Sequence, residues 1–270
     1  PTHSHSYRQA NKPMKKKQII MVTIMGIVLA AAVALGWQAT KGATSETGNE
    51  GETALAQQPV GPAFNADSAY AYVQAQCDFG PRTMNSEAHE QCANWIIRKF
   101  QQFGCDVTTQ KTDVKGYDGT TLHATNIIAK YKPEATKRIL LCAHWDSRPW
   151  ADNDPDSANW RKPVMAANDG ASGIAVMLEL ARLLQNDTAL TYGIDFVCFD
   201  AEDWGTPQWE KQSGGEDSWA LGAQYWAKNT SHDNRPEYGI LLDIVGGQGA
   251  KFYQELATKQ YAPNIVEKVW

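Results

Sequence analysis

Hydrophobic positions change their spacing several times along this chain, and each change marks an element. Trp95, Ile96, Phe100 and Phe103 recur at helical spacing. They predict one buried face of a helix that Ser86 caps, with His89 and Glu90 in its first turn and Gly104 at its end. A shorter helix is expected upstream, from a cap at Asp67 to about Gln76. Val107 to Asp113 and Leu122 to Tyr131 read as strands. Ile139 to Ala143, Ile194 to Phe199 and Tyr238 to Val245 are short apolar runs of the kind found in central strands. Gly173 to Leu184 and Ser218 to Ala227 read as helices. Helices placed between apolar strand runs predict an α/β fold with a mainly parallel, mixed central sheet and helices on both faces.

One apolar run is different in kind. Ile19 to Trp37 is a stretch of 19 residues without a charge, preceded by Lys15, Lys16 and Lys17. This is the form of a signal peptide or signal anchor. The positive-inside rule then puts the lysines in the cytoplasm and everything after the run outside it. The expected location is extracytoplasmic, in a periplasm, with attachment to the inner membrane if the segment is uncleaved. Residues 1–18 read as a disordered cytoplasmic N-terminus and 38–64 as a flexible linker rich in Gly, Thr, Glu and Gln. Residues 65–270 then form one catalytic α/β domain, of a size that suits one domain better than two.

Composition narrows the partners. The net charge is −5, and the main basic run is the lysine triplet beside the apolar segment. That leaves no electrostatic case for nucleic-acid binding. The five cysteines contain no CxxC pair, which excludes zinc-ribbon and thioredoxin-like readings. Their odd number leaves at least one free in a monomer. Cys142 and Cys198 lie in apolar runs and read as packing residues. Cys77 with Cys92, or Cys92 with Cys105, can pair in an oxidising compartment. Of the ten tryptophans, Trp150, Trp160, Trp204, Trp209, Trp219 and Trp226 fall within one third of the chain, which makes an aromatic-walled pocket plausible.

The chemistry concentrates where the strands end. His144-Trp145-Asp146 follows the first central strand. Asn168-Asp169-Gly170 opens the helix near Gly173. Asp200, Glu202 and Asp203 follow the second strand, and Asp243 lies in the third, before Gly246-Gly247. Each group alone has a plain explanation. Asp169 can be a helix cap, Glu202 and Asp203 a solvated loop, and His144 a structural histidine. Asp243 is harder to set aside, since its flanks are Leu241, Leu242, Ile244 and Val245. A carboxylate in a buried apolar run must be paired, protonated or metal-bound. Ligands of open α/β sheets bind outside the carboxyl ends of the strands, so these groups are expected to converge. His and carboxylates are zinc ligands, and adjacent Glu202 and Asp203 can divide metal binding from acid/base work.

The string LLCAHWDSRPWADNDPDSANWRKPVMAANDGASGIAVMLELARLL, from Leu140 onward, resembles the zinc aminopeptidase superfamily. The later strings IDFVCFDAEDWG, DSWALGAQYWA and LLDIVGG are similar to its glutaminyl cyclase branch, and order and spacing hold from about Asp67 to Phe252. The resemblance implies an exopeptidase-like α/β fold and Zn2+. Asp169 would be a zinc ligand, and the bridging carboxylate where there are two ions. Asp203 would be the next ligand, where animal cyclases have Glu. Glu202 would be the general acid/base. Asp243 would be a pocket carboxylate in a cyclase and, with His144, a second-zinc ligand in an aminopeptidase. Trp204 or Trp209 would wall the substrate pocket. The family's final zinc ligand is a later His, and no His follows Asp243 here; His232 lies before that strand in a polar loop. The expectation is therefore a chain that stops short of that ligand.

Three functions compete at this point. The first is a one-zinc cyclase acting on peptides or proteins with N-terminal Gln. The second is a two-zinc aminopeptidase. The third is an inert extracytoplasmic binding domain.

Overall fold

The chain divides into Pro1–Gln58 and Pro59–Trp270. A computed structural model describes residues 61–210, 216–231 and 235–269, all within the second unit. The lysine triplet, the Ile19 to Trp37 run, most of the 38–64 linker and His232 lie outside the described residues. Among the described residues, no helix is long and apolar enough to cross a membrane.

Helix α1 spans Ala66–Cys77 and α2 spans Glu87–Gln102. Asn65, not Asp67, caps α1, because its side chain accepts from Ser68 N at 3.0 Å while Asp67 sits inside the first turn. Ser86 caps α2 as expected, accepting from His89 N at 3.1 Å. Gly104, at φ +78, closes α2 by turning the chain so that Cys105 N donates back to the Phe100 carbonyl.

Five strands follow among the described residues: β1 (Asp106–Lys115), β2 (Thr121–Tyr131), β3 (Arg138–His144), β4 (Gly193–Phe199) and β5 (Tyr238–Leu241). Their order in the sheet is β1-β2-β4-β3-β5. The half around the site is parallel, with β3 between β4 and β5; β1 pairs β2, and β2 pairs β4, antiparallel. The α/β expectation of a mixed sheet holds, and the antiparallel share comes from the β1–β2 hairpin.

Helix α3 (Ala171–Leu184) and α2 cover one face of the sheet. Ile96, Phe100, Met177 and Leu178 pack there against Ile127, Ala143, Phe196 and Cys198. Helix α4 (Leu221–Asn229) covers the other face, where Ala223 and Trp226 meet Ile128, Val197 and Phe199. Burial on both faces is why β4 is apolar apart from Asp195, whose charge is paired with Arg138. Helix α4 starts later than the sequence pattern predicts. Glu216–Ser218 form a separate 3-10 turn, and Ala220 adopts φ +52 before the helix begins. Two short helices, α5 (Leu256–Tyr261) and α6 (Pro263–Val269), follow β5.

Strand β5 also ends early. Leu242 N still donates to Cys142 O at 2.8 Å, but Ile244 takes φ +50 and the chain leaves the sheet. Leu241 and Ile244 are exposed and the Asp243 side chain is 44% accessible. The premise that Asp243 lies in a buried strand is therefore wrong. It stands on a loop beyond the strand end. All five cysteines are free thiols, so neither suggested disulfide forms. Burial pushes the thiol of Cys105 up to about 11 and those of Cys92 and Cys142 up to about 12.

Candidate active site

Strand register builds the site. His144, the last residue of β3, lies opposite Phe199 on β4, while Cys142 lies opposite Leu241 on β5. Asp200 and Asp243 therefore emerge at the same carboxyl edge as His144. Asp169 arrives from the loop before α3. Gly170 is required beside it: its φ is +96, and a Cβ there would meet the Asp146 carbonyl at 2.8 Å and His144 Cε1 at 3.1 Å.

The imidazole of His144 is the centre of this group. Nε2 lies 2.8 Å from Asp169 Oδ1 and 3.6 Å from Asp243 Oδ1; Nδ1 lies 3.4 Å from Asp146 Oδ1, too long for a strong hydrogen bond. Burial alone would favour neutral imidazole, but the surrounding Asp146, Asp169 and Asp243 carboxylates outweigh it and hold His144 well above its ordinary value. His144, Asp169 and Asp243 each offer one donor atom, all within 4.8 Å of one another.

The loop after β4 carries Glu202 and Asp203, and it is fixed from two sides. Asp146 is fully buried. Its two oxygens accept from Glu202 N and Asp203 N, both at 3.1 Å. On the other side, backbone N–H groups of Ala220, Leu221 and Gly222 donate to the carbonyls of Glu202, Ala201 and Asp200. A Cβ on Gly222 would lie 2.2 Å from the Asp200 carbonyl, so only glycine admits this approach. Beneath the loop, His89 Nε2 pairs with the buried Asp200 carboxyl at 2.8 Å and stacks on Trp145.

Charge crowding then sets the chemistry. Burial, with Asp146, Asp169 and Asp243 nearby, pushes the Glu202 carboxyl up to about 7 despite the opposing His144. Burial, with Asp146, Asp169 and Glu202, pushes Asp203 up to about 8, against the pull of Arg148. Such shifts mark a site short of positive charge. A dication fits this donor set, since it would meet imidazole and carboxylate ligands and relieve the crowding.

A cavity of about 270 Å³ opens here, with Asp169, Asp203, Arg148, Asp152, Trp150 and Val164 among its lining. Trp150 lines it, whereas Trp204 and Trp209 pack against Trp150 with ring centroids 5.3 and 6.0 Å away. The Trp204 indole also points its N–H at Asp118, 3.4 Å away. The aromatic wall expected from Trp204 and Trp209 thus reaches the cavity through Trp150.

Sequence reasoning missed three residues. Arg82, fully buried, donates to the carbonyls of Trp145, Met165 and Ala166 and ties the β3 end to the segment before Asp169. Arg148 and Asp152 form a bidentate pair beside Asp203. None sits in a periodic pattern; Arg148 and Asp152 lie inside the string that starts at Leu140, and Arg82 lies upstream of it.

Comparison with known proteins gives this geometry a context. Residues 126–270 match peptidase family M28. A crystal structure of Bacteroides thetaiotaomicron glutaminyl cyclase bound to N-acetylhistamine is 50% identical, with a TM-score of 0.75, covering 77% of this chain and 72% of that one. A leucine aminopeptidase precursor from the same organism gives the same four values. The glutaminyl-peptide cyclotransferase of Drosophila melanogaster is 26% identical over 184 residues, 64% of this chain and 47% of that protein. The chain spans about half the length of the curated relatives it matches.

Proposed function

Because the chain belongs to peptidase family M28, we propose that it is a zinc-dependent glutaminyl-peptide cyclotransferase, which converts N-terminal Gln of peptides or proteins to pyroglutamate. The observation that carries this is the 50% identity, over 77% of this chain, to a solved glutaminyl cyclase.

The family is zinc-dependent, and Asp169 and Asp203 are the residues that would hold the ion. The chemistry zinc supplies when bound is Lewis-acid polarisation of a carbonyl oxygen. The remaining work belongs to the chain. In the substrate, the α-amine attacks its own side-chain carboxamide carbon, a C–N bond forms, and the bond to the carboxamide nitrogen breaks. One proton must move from the attacking nitrogen to the departing one, which leaves as ammonia. Glu202 sits on the loop that Asp146 and α4 hold rigid, and takes and returns that proton. Asp243, half-exposed on the opposite strand end, orients the amine. The cavity beside Asp169 and Asp203, walled by Trp150, holds the Gln residue so that amine and carboxamide stay in attacking geometry.

A two-zinc aminopeptidase is the second reading. It is favoured by the His144, Asp169 and Asp243 donors, which could hold a second cation. Metal content, measured with parallel assays on an N-terminal Gln peptide and a Leu-amide, separates the two. One zinc with ammonia release supports the cyclase; two zincs with Leu-amide cleavage replaces it with the aminopeptidase.

The same proposal includes export. Lys15 to Lys17 followed by Ile19 to Trp37 support an extracytoplasmic, periplasmic domain. A reporter fused after Pro62 should work only if it functions outside the cytoplasm, and activity of a cytoplasm-only reporter there would count against it.

A further inference from the structure

We infer that Arg148 is a positioning residue for the metal site, orienting Asp203 through a clamp anchored on Asp152. This rests on the reading of Asp203 as a zinc ligand.

The guanidinium is buried and makes four hydrogen bonds to a specific set of partners. Its Nε and one terminal nitrogen make a fork to the two oxygens of Asp152, each at 2.7 Å. The other terminal nitrogen donates to Asp203 twice, to the backbone carbonyl at 3.2 Å and to Oδ1 at 3.3 Å. The group also lies over two rings, with Cζ 5.4 Å from the Trp150 centroid and 4.8 Å from that of Trp219. Asp152 is fixed in turn, since Oδ2 also accepts from Gln208 N at 2.9 Å. One planar cation therefore joins the segment after β3 to both ends of the 203–208 loop. It engages one carboxylate oxygen of Asp203, Oδ1.

A lysine cannot reproduce this. Its single nitrogen has no fork, so it cannot satisfy Asp152 in a bidentate pair and reach both acceptors of Asp203. Partners that orient a metal ligand are worth on the order of 10–100-fold in metal affinity.

Electrostatics and positioning predict opposite signs here, which makes the test sharp. A cation beside a metal site repels the metal, so charge alone says that Arg148→Met should bind zinc more tightly. Positioning says that it should bind more weakly. The experiment measures zinc dissociation constants by chelator competition in the full-length protein, for Arg148→Met, Arg148→Lys and Asp203→Ala. Arg138→Lys is the control, because Arg138 is an equally buried arginine paired with Asp195 at the far end of β3. Arg148→Met is expected to weaken zinc about 10–100-fold, with Arg148→Lys between it and wild type and Arg138→Lys unchanged. Wild-type or tighter zinc binding by Arg148→Met, while Asp203→Ala loses zinc, overturns the inference. Equal weakening by Arg148→Lys and Arg138→Lys also overturns it, since the effect would then be general loosening. Wild-type affinity in Asp203→Ala removes instead the ligand assignment on which the inference stands.

Discussion

The two strand ends on either side of β3 are built differently. At the β4 end, Glu202 and Asp203 are held by a fully buried carboxylate, by three backbone hydrogen bonds from the start of α4, and by an arginine that lies over two tryptophan rings. At the β5 end, Asp243 stands on a partly exposed loop. That loop is pinned by Asn168, which accepts from Gly246 N at 2.8 Å, and by Ser172, whose Oγ accepts from Val245 N at 3.0 Å. The first end is rigid because its polar groups have no water to fall back on; the second can exchange its hydrogen bonds with solvent. Proton transfer needs the first kind of support and substrate entry benefits from the second.

The largest break in this comparison should come from Glu202 and Asp203, the proposed acid/base group and the proposed zinc ligand. Glu202→Gln is expected to lower kcat by about 10²–10⁴-fold with zinc retained, and Asp203→Ala to lose zinc. Elemental analysis and ammonia release on both variants check this. The opposite pattern of zinc retention would exchange their roles.

Next comes the support itself. Asp146→Ala leaves the N–H groups of Glu202 and Asp203 buried without acceptors, and should destabilise the fold by about 2–5 kcal/mol. Denaturant unfolding measures it; a loss below about 1 kcal/mol would mean that solvent reaches this end too. Asn168→Ala, at the open end, should cost only about 0.5–1.5 kcal/mol in the same experiment. Its effect on catalysis should appear in KM more than in kcat, because Asp243 keeps its carboxylate but loses its fixed loop. Equal costs at the two ends would erase the distinction.

The smallest effect lies two turns along α3. The hydrogen bonds from Arg182 to Glu179 hold that carboxyl below its ordinary 4.5, despite burial, with help from Asn65 N. A depressed folded-state value means the stabilisation is full above the unfolded value of 4.5 and fades as pH falls through the lower folded one. Glu179→Gln should therefore reduce the loss of stability between pH 5 and 3, as read by thermal melts, while activity at neutral pH stays near wild type. An unchanged acid slope would show that the ion pair does not persist in solution.

The amino-acid pattern carried most of the elements because period and burial agree along them. Ser86, Gly104 and the apolar runs of β3 and β4 each satisfy local and tertiary demands at once. It failed at Leu242 to Val245, where an apolar run looks like a strand but the chain turns out at Ile244. There the run reflects the loop's approach to α3, where the Leu242 carbonyl lies so close that a Cβ on Gly173 would meet it at 2.5 Å. That Asp169, Glu202 and Asp203 come together was legible because the carboxyl ends of such strands gather at one edge. The Arg148–Asp152 clamp and the Arg82 anchor were not, because they depend on partners up to 84 residues away and leave no periodic trace.

The free cysteines give the domain a built-in clock. A thiol reacts with an alkylating reagent only as thiolate, and burial keeps Cys92, Cys105 and Cys142 protonated at neutral pH. Cys77, only half-buried, should label first. The others can label only when their part of the core opens, so their labelling times, read residue by residue by mass spectrometry, rank the opening of α2, β3 and β4 in the working protein.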